Sequence, residues 1–448
     1  MSENNGLSNV FPNAAQFDTM NILLASIASK EGGIKFNSFS DIQKIVRLGL
    51  AKQAFAVGDQ ISCYRESSLT ATVGTGSHIT GATVNEVTFI NKIGTTGVEE
   101  YEFVYDGSAW HLGEHAVILS EYGITITGTA QANDKVIIIE SASELVFDVI
   151  GIDVETPSDS SKTHSLSLAL HDCLSGLQFD APEALYYAES GLAAGNYGFT
   201  FDGTKYTFTL TNAVPTGGQL VFDRGAAQIK VYASSASTTA TETASTTSVV
   251  SFPDGTTDLG TANGQTTNMN HFHRCLYGSN NWVQSAMRQW LNSDKAAGSV
   301  WTPKTKFDRP PSWASNTKGF LYGLDPDLRS VLGKVKKVTV NNTVTDGGGS
   351  TTNDELVFLL SKSEVNGTNE NSIKEGDPYP YFAAMSSGRT DSNLSGRIKY
   401  RNGSAQYWWL RSPSSGNSCD VRFVSTPGNI VSYDAYNSIG VVPACVII

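Results

Sequence analysis

Short runs of alternating apolar and polar residues, separated by Gly, Asn and Asp, constrain the fold of this chain most strongly. From about residue 57 to residue 152 the runs are rich in Thr, Val, Ile and Tyr. Side chains alternate between the two faces of a β-strand, so a period of two predicts half-buried strands. The sequence therefore favours a β-rich fold.

Two Asp-Gly pairs predict tight hairpins. An aromatic run at 101–105 precedes Asp106-Gly107, and alternating aromatic residues at 197–201 precede Asp202-Gly203. Asp and Gly readily adopt the positive φ angles that a two-residue primed turn requires. We expect a hairpin at each pair.

The chain is too long for one hydrophobic core. It has 448 residues, and only 17% of them are charged, which is typical of β-rich structural or adhesive proteins. We expect an α+β, mostly β protein with N-terminal helices and β domains before a C-terminal domain. The predicted parts are a helical segment (1–55), a small β domain (56–155), a β-rich middle domain (156–232), a Ser/Thr-rich linker or loop (233–269) and the C-terminal domain (270–448).

Local signals support these boundaries. Ser40 is predicted to begin a helix, with Gln43 at the capping-box position, and residues 22–27 are predicted to form a shorter one. Residues 233–248 are almost entirely Ser, Thr, Ala and Glu, a composition that buries too little apolar surface to order itself. All but one of the seven tryptophans follow this segment, so a new core begins near Asn270.

Charge and cysteine usage exclude several classes of protein. The net charge of −12 repels nucleic acid, and Lys334, Lys336 and Lys337 are interpreted as a solvated strand face. The N-terminus lacks a signal-peptide pattern and no apolar run approaches 18 residues, so we expect cytoplasmic synthesis without membrane insertion. Five cysteines without a short-spaced pair indicate reduced thiols.

Chemistry-bearing residues do not form an enzyme signature. No nucleophile motif is present, and the Gly-rich turns at 74–76 and 347–349 lack the context of a phosphate loop. The pair His271 and His273 lacks a third ligand at a useful spacing, and a group including His164 and His171 matches no metal motif. We expect no catalysis, no metal and no cofactor.

The C-terminal domain combines short helices with strands. Apolar residues of one helix after Asn280 share a face, and a second helix has Asp325 as its cap and Pro326 at its first position. Strands are predicted at 334–340, 356–360, 407–410, 421–424 and 441–447.

Several motifs of this domain carry a family resemblance. The segment Tyr-Trp-Trp-Leu-Arg-Ser-Pro at 407–413 and Gly-Val-Val-Pro-Ala at 440–444 are the strongest, with support from 278–292, 307–311 and 358–365. Together they resemble phage and prophage proteins with a C-type lectin fold, the variable proteins of diversity-generating retroelements of the tropism-determinant type.

The resemblance implies a diversified ligand-binding surface. Retroelement diversification acts at adenines, so Asn codons vary to Tyr, Ser, Asp and Ile, and Tyr, Ser and Asn also suit recognition. The implied surface residues are Ser432, Tyr433, Asp434, Tyr436, Asn437 and Ile439, with a second set of Asn417, Cys419, Asp420, Arg422, Phe423 and Ser425. Ala435 and Ser438 are expected to be fixed. The implied scaffold residues are Trp290, Trp408, Trp409, Leu410, Arg411, Val421, Val424, Ile430, Val431, Val441, Val442 and Pro443.

One tryptophan of the 408–409 pair is expected in the core, while the other lines the floor of the site. The Glu-Pro-Asn or Gln-Pro-Asp segment of calcium-dependent lectins is absent, and Cys419 and Cys445 do not match the close pair of the oxidases that share this fold.

By resemblance, the chain is a virion-associated receptor-binding or host-attachment protein. The implied partners are a host cell-surface protein or glycan, other virion proteins, and two further copies in a homotrimer. The alternative is a structural virion protein, such as a capsid decoration or head fibre, without a recognition role.

Overall fold

The computed structural model describes residues 38–84, 97–262 and 276–448. The predicted helix at 22–27, the His271 and His273 pair, and Cys275 lie outside these ranges. The described residues are mostly β and form several sheets, which confirms the mostly β part of the predicted class. None of the helices in the described ranges has the length and hydrophobicity that crossing a bilayer requires.

The helices of the described residues are short. The α-helices are α1 (Phe39–Arg47), α2 (Ala51–Ala54), α3 (Ala286–Leu291), α4 (Pro326–Val331) and α5 (Pro380–Ala383), and two 3₁₀ helices span Leu119–Tyr122 and Ser395–Arg397.

Strands supply most of the regular structure. The first half contains β1 (Gln60–Val73), β2 (Gly81–Val84), β3 (Gly97–Tyr105), β4 (Trp110–Leu112), β5 (His115–Val117), β6 (Ile124–Thr127), β7 (Lys135–Ile152), β8 (Leu166–Leu170), β9 (Leu174–Gln178), β10 (Tyr186–Ala188), β11 (Gly195–Phe201), β12 (Thr204–Leu210), β13 (Gly218–Asp223) and β14 (Gln228–Tyr232). The second half contains β15 (Glu242–Ser245), β16 (Thr247–Val249), β17 (Thr257–Ala262), β18 (Val335–Val340), β19 (Ser350–Glu355), β20 (Val357–Phe358), β21 (Lys399–Arg401), β22 (Ser404–Gln406), β23 (Trp408–Pro413), β24 (Asp420–Val424), β25 (Ile430–Asp434), β26 (Ser438–Val441) and β27 (Ala444–Ile447).

The chain divides into two units. The first contains residues up to Leu170 together with Gly323–Val335 and Cys445–Ile448. Its main sheet places β27, β8, β7, β3, β4 and β5 side by side, and β1 also pairs with β7. Apolar residues from β1, β3, β6 and β7 form a core, among them Leu69, Phe103, Ile124, Val136 and Ile138.

The N-cap of helix α1 lies two residues earlier than predicted. Ser38, not Ser40, is the N-cap, and its side chain accepts a hydrogen bond from the N–H of Asp41. The Ser40 hydroxyl donates to Asp327 at 3.0 Å, and Gln43 donates to the main-chain oxygen of Ile448 at 2.8 Å. Both side chains that suggested a capping box therefore make long-range contacts.

The second unit contains His171–Tyr322 and Lys336–Ala444. Its N-terminal part has two four-stranded sheets, in the orders β10-β13-β14-β15 and β16-β12-β11-β17. Buried aromatic residues from both sheets form a shared core, including Phe199, Phe208 and Phe222. The Asp202-Gly203 hairpin between β11 and β12 is confirmed, with φ angles of 47° and 76°.

The Ser/Thr-rich segment, predicted as a linker or loop over 233–269, contains strands in its described part, 233–262. It carries β15 and β16, and β17 follows within 233–269. Each of these strands lies at the edge of its sheet, where β15 pairs with β14, β16 with β12 and β17 with β11. The strands need few apolar residues of their own because the neighbouring strand supplies the hydrogen-bond partners of their backbone.

The C-terminal part of the second unit contains a five-stranded sheet in the order β25-β24-β23-β26-β9. Strand β9 comes from the region predicted as the middle domain and pairs antiparallel with β26, with Leu177 opposite Ile439. Helix α3 lies beside this sheet, where the N–H of Met287 donates to the oxygen of Phe179 at 2.9 Å. The predicted cap of α4 is also confirmed within the first unit, since the Asp325 side chain accepts from the N–H of Asp327.

Candidate recognition surface

The residues implied as variable lie mainly on β24, on β25 and in the turn after β25. The two strands are antiparallel, with Arg422 opposite Ser432 and Phe423 opposite Val431. Strand β25 is at one end of the five-stranded sheet. Because successive side chains in a strand point to opposite faces, the implied surface is divided between two faces of this hairpin.

One of these, which we call the aromatic face, consists of Tyr407, Phe423, Val431 and Tyr433. The ring of Phe423 lies 5.4 Å from that of Tyr407 and 5.9 Å from that of Tyr433, centroid to centroid. Phe423 is buried, whereas Tyr407, Val431 and Tyr433 are 47%, 39% and 44% exposed. Contiguous exposed apolar groups mark interaction sites, and tyrosine offers a large contact area at low entropic cost.

Tyr436 extends the set of exposed rings beyond β25. Its side chain is 36% exposed and lies 5.9 Å from the ring of Tyr277. The main-chain N–H of Tyr436 donates to the main-chain oxygen of Tyr277 at 3.0 Å. The main-chain oxygen of Tyr436 accepts from the side-chain amide of Gln178 at 2.6 Å. The backbone is thus held on both sides while the ring stays accessible.

The opposite side of the hairpin, the polar face, consists of Asp420, Arg422, Ser432 and Asp434. The Ser432 hydroxyl donates to Asp420 at 3.2 Å. Arg422 donates to both carboxylate oxygens of Glu370 at 2.9 Å. Burial raises the pKa of Glu370, but this bidentate contact outweighs it and lowers the pKa. The four side chains of the polar face are half-buried.

A possible metal-binding group lies at the end of the polar face. The thiol of Cys419 and the carboxylates of Asp420 and Asp434 lie within 4.8 Å of one another. The sulfur is also 3.3 Å from Asp434 and 3.1 Å from Asn417. Burial raises the pKa of Asp434 to about 6, the Cys419 hydrogen bond opposes this, and the charge of Asp420 adds to it.

Not every implied surface residue is exposed. Ile439 is 8% exposed because β26 lies between β23 and β9, so the expected exposure of this residue is wrong. Phe423, Ser425 and Cys419 of the second set are also buried. The half-buried members are Ser432, Asp434, Asn437, Asn417, Asp420 and Arg422.

Both tryptophans of the 408–409 pair are fully buried, so neither lines the floor of the site. The indole N–H of Trp408 donates to the oxygen of Arg397, and that of Trp409 to the oxygen of Leu177, each at 2.9 Å. The other scaffold residues, Trp290, Leu410, Arg411, Val421, Val424, Ile430, Val441, Val442 and Pro443, are buried as well. Val431 is the exception, because it lies on the aromatic face.

Arg411 anchors a buried ionic network beneath the sheet. Its guanidinium donates to both carboxylate oxygens of Glu364 and to the main-chain oxygens of Val338, Leu359 and Glu375. Five N–H donors in a planar fork make arginine suited to this role.

Lys337 completes this network. Its ammonium lies 3.0 Å from Glu364 and 2.8 Å from the Tyr379 hydroxyl, so its interpretation as part of a solvated face is wrong. Burial raises the pKa of Glu364, but the charges of Arg411 and Lys337 lower it to about 2. Burial raises the pKa of Glu375 to about 7 against the opposing charge of Arg411.

Sequence reasoning missed Tyr407, Tyr277 and Glu370 as site residues and took Val431 as scaffold. Tyr407 is two positions from Trp409, and alternate residues of a strand share a face. Because Trp409 is opposite Phe423, this spacing predicts Tyr407 on the same face of the sheet as Phe423. Glu370 and Tyr277 have no local signal, because their contacts join residues 52 and 159 positions apart.

Comparison with known proteins adds one match. A family model described as a domain of unknown function (DUF6273) matches residues 254–448. This range begins with the last strand of the two-sheet region and includes the whole hairpin β24–β25. Neither the curated proteins nor the solved structures contain a match to this chain.

Proposed function

We propose that this chain is a virion-associated receptor-binding protein, with a C-type-lectin-like C-terminal domain that displays the aromatic face to a host cell-surface ligand. The domain binds and performs no chemistry. The N-terminal helix and β regions assemble and anchor it, and three copies associate as the resemblance implies.

The observation that carries this proposal is the contrast between the aromatic face and its support. Tyr407, Val431 and Tyr433 are exposed together on one side of an edge hairpin, while the strand beside it holds the buried Trp408 and Trp409. Exposed large apolar side chains cost solubility, and a monomer rarely groups them without a partner. A rigid support keeps such a face ordered before binding, which reduces the entropy lost on association.

Diversification fits the same positions. Tyr433 and Tyr436 project into solvent from a backbone that is fixed by neighbouring strands and by Gln178. Replacements there change the groups offered to a ligand without opening the core. Surface replacements of this kind usually change stability by within about 0.5 kcal/mol.

Neighbouring DNA and a binding assay test the proposal. A template repeat of codons 408–440, differing at adenines in the codons of Tyr433, Asp434, Tyr436 and Asn437 and adjacent to a reverse transcriptase gene, would support it. Adsorption to a host strain should then fall in Tyr433→Ala at unchanged stability, with the exposed Tyr400→Ala as a matched control. No repeat, together with adsorption equal in both variants, would instead favour the structural virion role.

A further inference from the structure

We propose that the two-sheet region carries a second binding site, a groove for a neutral saccharide that is separate from the aromatic face. The groove has a volume of about 590 Å³, which lies within the range of roughly 300–1,000 Å³ found for small-molecule sites. Its lining comes from β11, β12, β15, Thr247 of β16 and the loop at 253–256.

The floor of the groove is the outer face of the β11–β12 hairpin. In β12, Phe208 and Leu210 point into the shared core, so Thr207 and Thr209 point outward. Asn196 lies opposite Thr209 in β11, and its side-chain oxygen accepts from the Thr209 hydroxyl at 2.8 Å. The floor is thus made of polar groups that hold one another in place.

A fixed loop forms one wall. Gly198 in β11 leaves room for the ring of Phe252, because a Cβ at this position would lie 2.6 Å from a ring carbon. The ammonium of Lys205 lies 5.3 Å from the centre of the Phe252 ring, which is a cation–π distance. Seated in this way, Phe252 positions Pro253, Asp254 and Thr256, which line the groove.

The opposite wall is an ordered carboxylate with flanking hydroxyls. Glu242 accepts from the N–H groups and side chains of Thr211 and Asn212 at 2.7–3.2 Å. Burial raises the pKa of Glu242, but these hydrogen bonds outweigh it and lower the pKa, so the carboxylate stays ionised. The exposed side chains of Thr243 and Ser245 continue this wall.

The lining chemistry selects the class of ligand. Hydroxyls both donate and accept hydrogen bonds, whereas carboxylates only accept. The lining contains Thr, Ser and Asn side chains with two carboxylates, those of Glu242 and Asp254, and it contains no Lys or Arg. Such a surface repels anions and offers many acceptors, so it matches an uncharged molecule that carries many hydroxyl groups. A neutral oligosaccharide has this chemistry.

The test uses the full chain and isothermal titration with a panel of neutral trisaccharides of glucose, mannose, galactose and N-acetylglucosamine. We expect at least one to bind with a millimolar or lower dissociation constant. Thr243→Val and Thr247→Val keep the shape of the side chain but remove one hydroxyl, so each should weaken binding about threefold to tenfold, as the loss of one neutral hydrogen bond does. Thr204→Val changes an exposed threonine of β12 that does not line the groove and should leave binding unchanged.

Three results would overturn this assignment. The first is that no trisaccharide binds at a concentration of about 10 mM. The second is that the parent and all three valine variants bind the saccharide equally. The third is that a polyamine such as spermidine binds more tightly than any trisaccharide. Tyr433→Ala should not alter saccharide binding at the groove, so the groove and the aromatic face succeed or fail independently.

Discussion

The indole N–H of Trp409 donates to the main-chain oxygen of Leu177 at 2.9 Å, across 232 positions of sequence. The acceptor belongs to β9, which pairs with β26. Phe179, just after β9, also packs its ring against Trp409 and Trp282, at 5.8 Å and 6.1 Å. The five-stranded sheet that supports the aromatic face therefore depends on residues far upstream of Asn270.

A fragment starting at Asn270 should consequently lack a cooperative core. It loses β9 and the ring of Phe179, and it leaves the N–H of Trp409 without its acceptor, which costs about 1–3 kcal/mol for a buried donor. A fragment starting at His171 retains all three. Urea unfolding followed by tryptophan fluorescence should be sigmoidal for the longer fragment alone. A sharp transition in the shorter one would show that β9 is dispensable.

Exposed tyrosines and buried tryptophans should respond differently to truncation. Tyr433→Ala and Tyr436→Ala should each change the free energy of unfolding by less than about 1 kcal/mol, since both rings are more than a third exposed. Trp409→Ala should cost about 3–5 kcal/mol, as large core truncations do. Chemical denaturation measures both. A cost above about 2 kcal/mol for either tyrosine would place it in the fold rather than on a recognition surface.

Asp434 should make the protein less stable as the pH rises. Its folded pKa of about 6 lies above the ordinary value of 3.8, so the unfolded chain loses this proton first. The contribution of protonated Asp434 to the free energy of unfolding is fully present below about pH 3.8 and is lost as the pH rises to about 6. Asp434→Asn should therefore match the parent near pH 3.5 and exceed it at pH 7 in thermal melts. An equal difference at both pH values would contradict the raised pKa.

Arg411 should be among the residues least tolerant of replacement. Arg411→Met removes one of the two cations that pair with the buried Glu364 and takes the donor away from three main-chain oxygens. Removing one partner of a buried ion pair costs about 3–5 kcal/mol. Replacing the exposed Arg401 with Met provides a control of the same chemistry and should cost less than about 0.5 kcal/mol. Similar melting temperatures for the two variants would exclude a structural role for the network.

Glu375 should add a second pH dependence with the same sign. Its folded pKa of about 7 exceeds the ordinary value of 4.5, so its contribution is complete below about pH 4.5 and is lost as the pH rises to about 7. Glu375→Gln resembles the protonated side chain. Between pH 4.5 and 7 the free energy of unfolding should fall less steeply in this variant than in the parent, and parallel profiles would contradict the assignment.

Some local signals in the sequence predicted local structure correctly, although the capping box expected at Ser40 and Gln43 was wrong. The Asp202-Gly203 turn and the Asp325 cap depend on residues a few positions apart, and both are confirmed. The predicted strands near 408 and 421 are also present. These elements need no information from distant parts of the chain.

Long-range packing could not be predicted in the same way. Nothing near Ile439 indicates that β9 covers it, so its burial was missed, and Lys337 looks like a surface residue until Glu364 lies beside it. The Ser/Thr-rich segment was misjudged for a related reason. Its strands obtain their hydrogen-bond partners from β12 and β14, whose positions the local composition does not reveal.

Parity within β25 determines which property of the protein a replacement changes. The odd positions, Val431 and Tyr433, carry the exposed groups of the aromatic face, whereas the even positions, Ser432 and Asp434, carry the side chains that set local charge and its titration. Under the proposed function, a lineage that varies only the odd codons would acquire a new binding preference while the acidity of this edge is inherited unchanged.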